Sequence, residues 1–425
     1  MSLALILGLI LVLVLLRVPM AFAILGPCLL YLVGEGNSIG LAFRLVVAGI
    51  NSWPLLAVPL FILVGVTATR TQIADRLYEA VVLLLGPLRA GLAYVNIGVS
   101  LGFSWMSGAA LADAAGIGSI EVDHMRKKGY PAEFAVGLSA SSALISPIMP
   151  PSIPAVVYAS VAAVSTGALF AAAVIPAILV TLSLAITVYV WALRRPDLKG
   201  EPYDWAAVRH AMVRALPAMG APVIILGGIL GGYFTPTEAA GIGALYMLAL
   251  AVGYRSVSAR DVIVILRDTA VITAQIMMII GASSLLSWIL AREQVPQAVA
   301  EALLTLTNES LLFLLIINFV LLGVGMVLEP TSALLIITPI LLPVAVSFGI
   351  DPLHFGSIII FNLMIGLLTP PLGGVCFVLS SVTGIPVERV FKGAAYYLPA
   401  LLITLAVITY VPAVTLWLPG ALGLN

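Results

Sequence analysis

Two short stretches decide the fold: Ser146-Pro147-Ile148-Met149-Pro150-Pro151 and Gly366-Leu367-Leu368-Thr369-Pro370-Pro371. Each lies within an apolar segment and ends in a diproline. Proline lacks a backbone donor and clashes with the preceding helical turn, so a helix entering either stretch breaks there and leaves carbonyls unpaired. Outward from them, the surroundings match at an offset of about 220 residues. Gly129-Tyr130-Pro131 corresponds to Gly349-Ile350-Asp351-Pro352 with one residue inserted. Further upstream, Gly102-Phe103-Ser104-Trp105-Met106-Ser107-Gly108 corresponds to Gly323-Val324-Gly325-Met326-Val327-Leu328-Glu329. One shared glycine or proline carries no weight, but three landmarks in order at conserved spacing make an internal repeat.

The solvent of this repeat follows from composition. Of 425 residues, 62% are hydrophobic and 9% charged, against about 25% charged in a soluble domain. Apolar segments of roughly 20 residues, enough to cross a ~30 Å hydrocarbon core, recur near 3–33, 44–68, 131–160, 166–193, 215–233, 237–254, 263–290, 353–383 and 394–418. Interrupted ones lie near 88–122 and 310–346. The chain reads as an all-α polytopic membrane protein. Its 19 basic and 19 acidic residues give no positive footprint for nucleic acid. Cys28 and Cys376 lie in apolar segments without a Cys or His partner motif, so they read as small packing residues. The stretch Met1 to Leu16 resembles a signal-peptide core but lacks a basic n-region and a cleavage site, and reads as retained.

Basic short loops stay cytoplasmic. Both His124-Met125-Arg126-Lys127-Lys128 and the stretch Arg194 to Arg214, with Arg194, Arg195, Lys199, Arg209 and Arg214, are therefore expected inside. Two spans separate them, so the assignments agree. Counting on places Arg255–Asp261 inside, and Ala291–Ser310 and Phe348–His354 outside. The loop between the first two landmarks is basic in copy one and carries no basic residue in copy two. The copies thus enter from opposite sides, as in the inverted-topology repeats of secondary transporters. The first 33 residues, interrupted by Arg17-Val18-Pro19, fit either one tilted span or a broken pair.

Each copy also holds a segment of about 35 residues broken at its middle. In the first copy, limbs of about 15 residues reach only ~22 Å at 1.5 Å per residue, so re-entrant helical hairpins are expected, with tips at Ser104–Gly108 and Gly325–Thr331 near half depth. Irregular backbone at that depth is tolerated only when buried in protein or lining a wet cavity. Carbonyls and the hydroxyls of Ser104, Ser107, Ser146 and Thr369 are hard oxygen ligands suited to an alkali cation, and exposed helix N-termini suit a carboxylate. The pattern implies a cation-coupled symporter of an anionic solute. A lone kink is a common packing feature of membrane helices; four breaks in a duplicated frame are a site.

Single polar residues have competing readings. Thr235-Pro236-Thr237-Glu238 has the spacing of a capping box. Asp113 and Glu329 fall within the hairpins, where an ionisable group is costly, although Asp113 can also cap its limb. Ser142 and Asn362, at matching positions one turn before the breaks, suit solute binding or bonds between helices. Ser152 and Thr331 join Ser142, Asp113 and Asn362 as candidate solute contacts. His124, His210 and His354 are expected in solvated loops. Arg70, Asp75, Arg76 and Glu79 mark an amphipathic interfacial helix supporting the first hairpin.

Five motifs together resemble those of the large membrane subunit of tripartite ATP-independent periplasmic (TRAP) transporters, over nearly the whole chain. They are Trp53-Pro54-Leu55-Leu56-Ala57-Val58-Pro59-Leu60-Phe61, Ser107-Gly108-Ala109 leading to Ala112-Asp113, Met149-Pro150-Pro151-Ser152-Ile153-Pro154, Phe234-Thr235-Pro236-Thr237-Glu238-Ala239-Ala240 and Gly366-Leu367-Leu368-Thr369-Pro370-Pro371-Leu372-Gly373. The resemblance implies an elevator-type fold akin to the ion transporter superfamily, located in the bacterial inner membrane. Scaffold and arm helices would occupy 1–86 and 215–309. Transport-domain repeats would occupy 87–193, with its break at 146–151, and 310–392, with its break at 366–371. A cytoplasmic loop (194–214) and a C-terminal helix (393–425) complete the division. It also implies sodium as the coupling ion with no other metal or cofactor, a small four-helix membrane partner, and a soluble periplasmic protein delivering a small organic anion (a carboxylate such as a C4-dicarboxylate or sugar acid). Carried onto this chain, one sodium lies between Ser104, Ser107, Gly108 and the break Ser146–Pro150. A second lies between Gly325, Leu328 and the break residues Gly366, Thr369 and Leu372. Family members often have Ser where Ala109 stands, and Glu329-Pro330 replaces Gly108-Ala109 in copy two, so the two cation sites are expected to be unequal.

The nearest alternative is a self-sufficient sodium/carboxylate symporter with the same inverted hairpins. An intramembrane hydrolase is disfavoured because no histidine is expected at depth to pair with a serine, and a passive channel by the buried, proline-broken midplane.

Overall fold

The computed structural model describes residues 3–424 apart from 17, 196, 199, 201 and 308. Arg17 and Lys199, two of the basic residues weighed above, lie outside the described residues. Every regular element among those described is helical.

The chain opens with α1 (Leu3–Leu15) and α2 (Met20–Gly34), which fold against each other. This settles the first 33 residues as a broken pair, the turn closed by the Val18 N–H donating to the Leu13 carbonyl at 3.0 Å. Next come α3 (Ile39–Ile50), α4 (Ala57–Arg70) and the expected amphipathic helix α5 (Gln72–Leu85), which packs on the first hairpin. That hairpin runs α6 (Gly91–Ser107), α7 (Ala110–Asp113), a π-turn (Ala114–Gly118) and α8 (Ser119–Lys127). The first broken helix is α9 (Ala132–Ser142) and α10 (Ile153–Ala162), followed by α11 (Thr166–Ala192).

The second copy repeats the frame. Beyond α12 (Trp205–Leu230) and α13 (Pro236–Gly253), the long α14 (Ala259–Arg292) and shorter α15 (Val295–Leu306) stand where α4 and α5 stood. Then come the second hairpin, α16 (Ser310–Gly325) and α17 (Pro330–Ser347), the second broken helix, α18 (Pro352–Gly366) and α19 (Gly374–Thr383), and α20 (Val387–Tyr410), with α21 (Ala413–Ala421) appended. Both diprolines, Pro150-Pro151 and Pro370-Pro371, carry a cis bond at the break. Among the described residues, seven helical stretches are long and apolar enough to cross a membrane.

Helix starts follow local chemistry. Thr235 and Glu238 form the expected capping box: the Thr235 hydroxyl accepts from the Glu238 N–H at 3.3 Å, and the Glu238 carboxylate accepts from the Thr235 N–H at 2.8 Å. Asp204 caps α12, so the basic stretch 194–214 is loop only as far as Asp204. The span expected at 215 begins ten residues earlier because arginines at a helix end can reach the interface. The stretch 291–310, expected outside, likewise contains α15.

The middle of the molecule is the pair of broken helices, with Phe134–Ser142 and Leu353–Gly366 buried residue after residue. The exposed side chains on α3, α12 and α14 are largely apolar, including Phe43, Leu216, Val223 and Ile263, as a hydrocarbon-facing surface requires. α9 and α20 cross at backbone contact. A Cβ on Gly137 would lie 2.2 Å from the Gly393 carbonyl carbon, and one on Gly393 would lie 2.1 Å from the Glu133 carbonyl oxygen. Only glycine fits at either place.

The histidine expectation needs correction. His124 and His210 are exposed but lie on α8 and α12. His354 is neither in a loop nor solvated. It sits in the first turn of α18 at 3% exposure, its Nδ1 2.7 Å from Thr415 Oγ1 and its Nε2 3.2 Å from the Thr409 carbonyl. An aspartate cap, Asp351, starts the helix earlier than hydropathy suggests and draws His354 inside.

Candidate functional site

Both hairpins turn where the glycines and prolines require. At the first tip Gly108 adopts φ +58 and closes α6, its N–H donating to the Ser104 carbonyl at 3.2 Å. That left-handed conformation suits glycine. A Cβ there would meet the Pro151 carbonyl oxygen at 3.3 Å, so the tip lies directly against the first break. The Ser146 hydroxyl donates to the Ser104 carbonyl at 3.5 Å, a second tie between break and tip. Ser104 and Ser146 are fully buried and Pro150 is buried beside them. The Ser107 side chain lies outside the described residues. The structure thus brings together Ser104, Gly108, Ser146 and Pro150.

The second tip meets the second break through backbone instead. A Cβ on Gly366 would lie 2.3 Å from the Gly325 carbonyl carbon, and one on Gly325 would lie 3.0 Å from the Leu363 carbonyl oxygen. The Leu372 N–H donates to the Met326 carbonyl at 3.3 Å, and the Thr369 hydroxyl donates to the Gly366 carbonyl at 2.9 Å. Leu328 sits half-buried in the tip turn. Gly325, Leu328, Gly366, Thr369 and Leu372 are therefore also neighbours, in a group whose oxygens are mostly carbonyls.

The two tips open on one cavity of about 270 Å³. Gly108–Leu111 line it from the first hairpin and Glu329–Thr331 from the second. Pro147, Ile153 and Pro154 contribute from the first broken helix, Met364 and Leu367 from the second, and Gln275, Ile276 and Ile279 from α14. Among the described residues lining it, Glu329 is the only titratable one. Its carboxylate caps α17, accepting from the Ser332 N–H at 3.0 Å and the Thr331 hydroxyl at 2.9 Å. Both second limbs start at the cavity, so their N-terminal ends supply partial positive charge there.

Of the five candidate solute contacts, Thr331 lines this cavity. Ser152 caps α10, accepting from the Ala155 N–H at 3.2 Å. Ser142 and Asn362 bond between helices: the Ser142 hydroxyl donates to Asn96 Oδ1 at 2.8 Å, and Asn362 Nδ2 donates to Asn318 Oδ1 at 2.6 Å. Asp113 lies in the first turn of its limb without acting as its N-cap and borders a different, smaller pocket. The partners Asn96 and Asn318 were not singled out from sequence. They stand within one residue of matching places on the first limbs of the two hairpins, so the repeat frame was the signal that could have pointed to them. Gln275 and Glu121 were also missed.

Known proteins share this sequence and this fold. Residues 7–414 match the family described as the tripartite ATP-independent periplasmic transporter, DctM component. The sialic acid TRAP transporter large permease protein SiaM of Vibrio cholerae is 39% identical, with 94% of each chain covered. The C4-dicarboxylate TRAP transporter large permease protein DctM of Pseudomonas aeruginosa is 38% identical, with 88% of each covered. The 2,3-diketo-L-gulonate TRAP transporter large permease protein YiaN of Escherichia coli is 32% identical, with 93% of each covered. Among solved structures, the YdaH transporter of Alcanivorax borkumensis shares the fold at 14% identity, with a TM-score of 0.60 over 90% of this chain and 89% of that one. Relatives named as permeases also exclude an enzyme. With its two hairpins, two cis-diproline breaks and a family match across nearly its full length, the chain belongs to the DctM family of TRAP transporter large permeases.

Proposed function

We propose that this multi-pass permease imports a small organic anion across the bacterial inner membrane, coupled to sodium, by an elevator motion of the two hairpins and broken helices against the remaining helices. A periplasmic binding protein delivers the solute, and a small four-helix membrane subunit completes the scaffold. The observation that carries this reading is the single cavity shared by both hairpin tips. It has helix N-termini for a carboxylate, no lysine or arginine among the described residues that line it, and a tip-to-break oxygen group on either side. Without a fixed cation in the cavity, a bound anion gains from cations held close by, which is the physical basis for coupling. Relatives named for sialic acid, C4-dicarboxylates and 2,3-diketo-L-gulonate are all named for organic acids, which supports the solute class.

The test is uptake into proteoliposomes holding the permease and its small subunit, with the binding protein added outside. A thermal-shift screen of organic acids on the binding protein identifies the solute. Uptake is expected to require an inward sodium gradient and the loaded binding protein. Equal uptake with potassium replacing sodium would remove the coupling, and uptake of free solute without the binding protein would favour a self-sufficient symporter.

A further inference from the structure

Behind the first hairpin tip, apart from the solute cavity, lies a second, smaller pocket with room for about one water-sized species. Asp113 and Glu121 line it from the second limb, Ser100 from α6 and Ser139 from α9; its remaining walls are mostly apolar. Glu121 is 4% exposed. Its Oε2 accepts from Asn96 Nδ2, and its Oε1 has no hydrogen-bond partner. Asn96 cannot supply one. Its two amide hydrogens go to Glu121 and to Ser139 Oγ at 2.7 Å, and its Oδ1 accepts from Ser142. Among the described residues no lysine or arginine pairs with Glu121. The titratable groups facing it are Asp113 from its own limb and Tyr78 from α5. Tyr78 is bonded through its hydroxyl to the exposed His124 Nδ1 at 3.1 Å. α6 and α9 present only Asn96, Ser100, Ser139 and Ser142, and α19 meets this limb with Leu379 against Gly118.

The π-turn between the two acids is what brings them together. Residues eight apart on a regular α-helix point about 80° apart; one extra residue in a π-turn cancels most of that angle, and Asp113 and Glu121 then border the same pocket. The second hairpin lacks the pair: Leu334 stands at the place of Asp113 and Leu342 at that of Glu121. The hairpin fold therefore does not itself require these acids. An ionised carboxylate held this deep beside another acid, with no cation paired to it, costs several kcal/mol. A proton removes that charge and turns Oε1 into a donor facing other pocket oxygens.

We propose that Glu121, with Asp113 beside it, is a proton-binding site that loads and unloads during transport. The carboxylate takes one proton to become the acid when the pocket is closed, and returns it to water past Tyr78 and His124 when the limb opens. This goes beyond sodium coupling and does not depend on which acid is carried.

The test pairs a spectroscopic and a transport measurement on the full-length protein. In infrared spectra of purified wild type minus E121Q near neutral pH, the carbonyl stretch of a protonated carboxylic acid is expected. It should disappear on raising pH, in step with wild-type uptake falling about tenfold per unit beyond the midpoint. E121Q uptake is expected to vary less than about twofold over the same range. A difference spectrum showing only ionised carboxylate overturns the proposal; if E121Q also lowers the steepness of sodium activation, the pocket holds sodium instead. An acid band that persists while wild-type uptake falls makes Glu121 a structural acid and overturns it equally. D113N provides the second variant should E121Q fail to fold: with the neighbouring acid removed, the loss of the acid band and the fall in uptake are expected to move together to lower pH, and a profile that does not move overturns the proposal.

Discussion

The two hairpins share a backbone plan and differ in what fills it. Behind the first tip the space is polar: Asn96 ties Glu121, Ser139 and Ser142 together, and Ser146 reaches the Ser104 carbonyl. At the second tip Gly325 and Gly366 touch through their backbones. There the asparagine pair bonds within the bundle, with Asn318 Nδ2 donating to Thr409 Oγ1 at 3.2 Å and Asn362 Nδ2 donating to Asn318 Oδ1, while Asn362 Oδ1 has no partner. Duplication preserved the breaks, which fix where carbonyls are free. It did not preserve the side chains, so chemistry could diverge. One half depends on side-chain hydrogen bonds, the other on close approach.

The largest effect should come from the close approach. Gly366→Ala places a Cβ on the Gly325 backbone, with no flexible atom to give way. It should cost about 3 kcal/mol or more, read as loss of monodisperse protein and of uptake, whereas Ser146→Ala at the corresponding place should leave the thermal midpoint nearly unchanged. Comparable destabilisation by both would erase the contrast. Second, Asn96→Ala strands Glu121, Ser139 and Ser142 together and should cost about 3 kcal/mol, against about 1–2 kcal/mol for Asn318→Ala, which strands only Thr409 and Asn362. Thermal unfolding in matched detergent ranks the two; the reverse order would place the polar half elsewhere. Third, Thr369→Ala should raise the sodium concentration for half-maximal uptake about tenfold, roughly 1.4 kcal/mol, and by more than Ser146→Ala, because the second group has one described side-chain hydroxyl where the first has two. Unchanged sodium activation in Thr369→Ala takes the second cation site out of the proposal. The smallest effect sets the floor: Thr235→Ala, outside both halves, should cost about 1 kcal/mol of stability through its lost cap and leave sodium activation alone.

Much of the architecture was legible because glycine and proline act locally. The Gly108 turn, the helix end at Gly325 and both cis diprolines lie where the quoted stretches place them. Legibility ends where the third dimension selects among helix faces. Ser142 and Asn362 were matched correctly to each other, yet they point into helix contacts rather than the cavity, since a break fixes the depth of a residue and not its azimuth. His354 was read from hydropathy as loop, but a cap at Asp351 and two partners in the last turns of the chain hold it inside. Glu121 was not singled out from sequence; the π-turn that brings it and Asp113 to one pocket is invisible in composition. Gln275 reaches the cavity from a helix some 110 residues past the first break, a neighbour no local pattern announces.

The glycine crossing of α9 and α20 has a mechanical outcome. Helices touching backbone to backbone have no side chains between them to rearrange, so they can neither slide nor roll without losing the contact. Because α9 leads into the first break and α20 follows the second, that seam ties the end of the second copy to the broken helix of the first. A displacement of either half must then drag its twin along, so that neither moves alone.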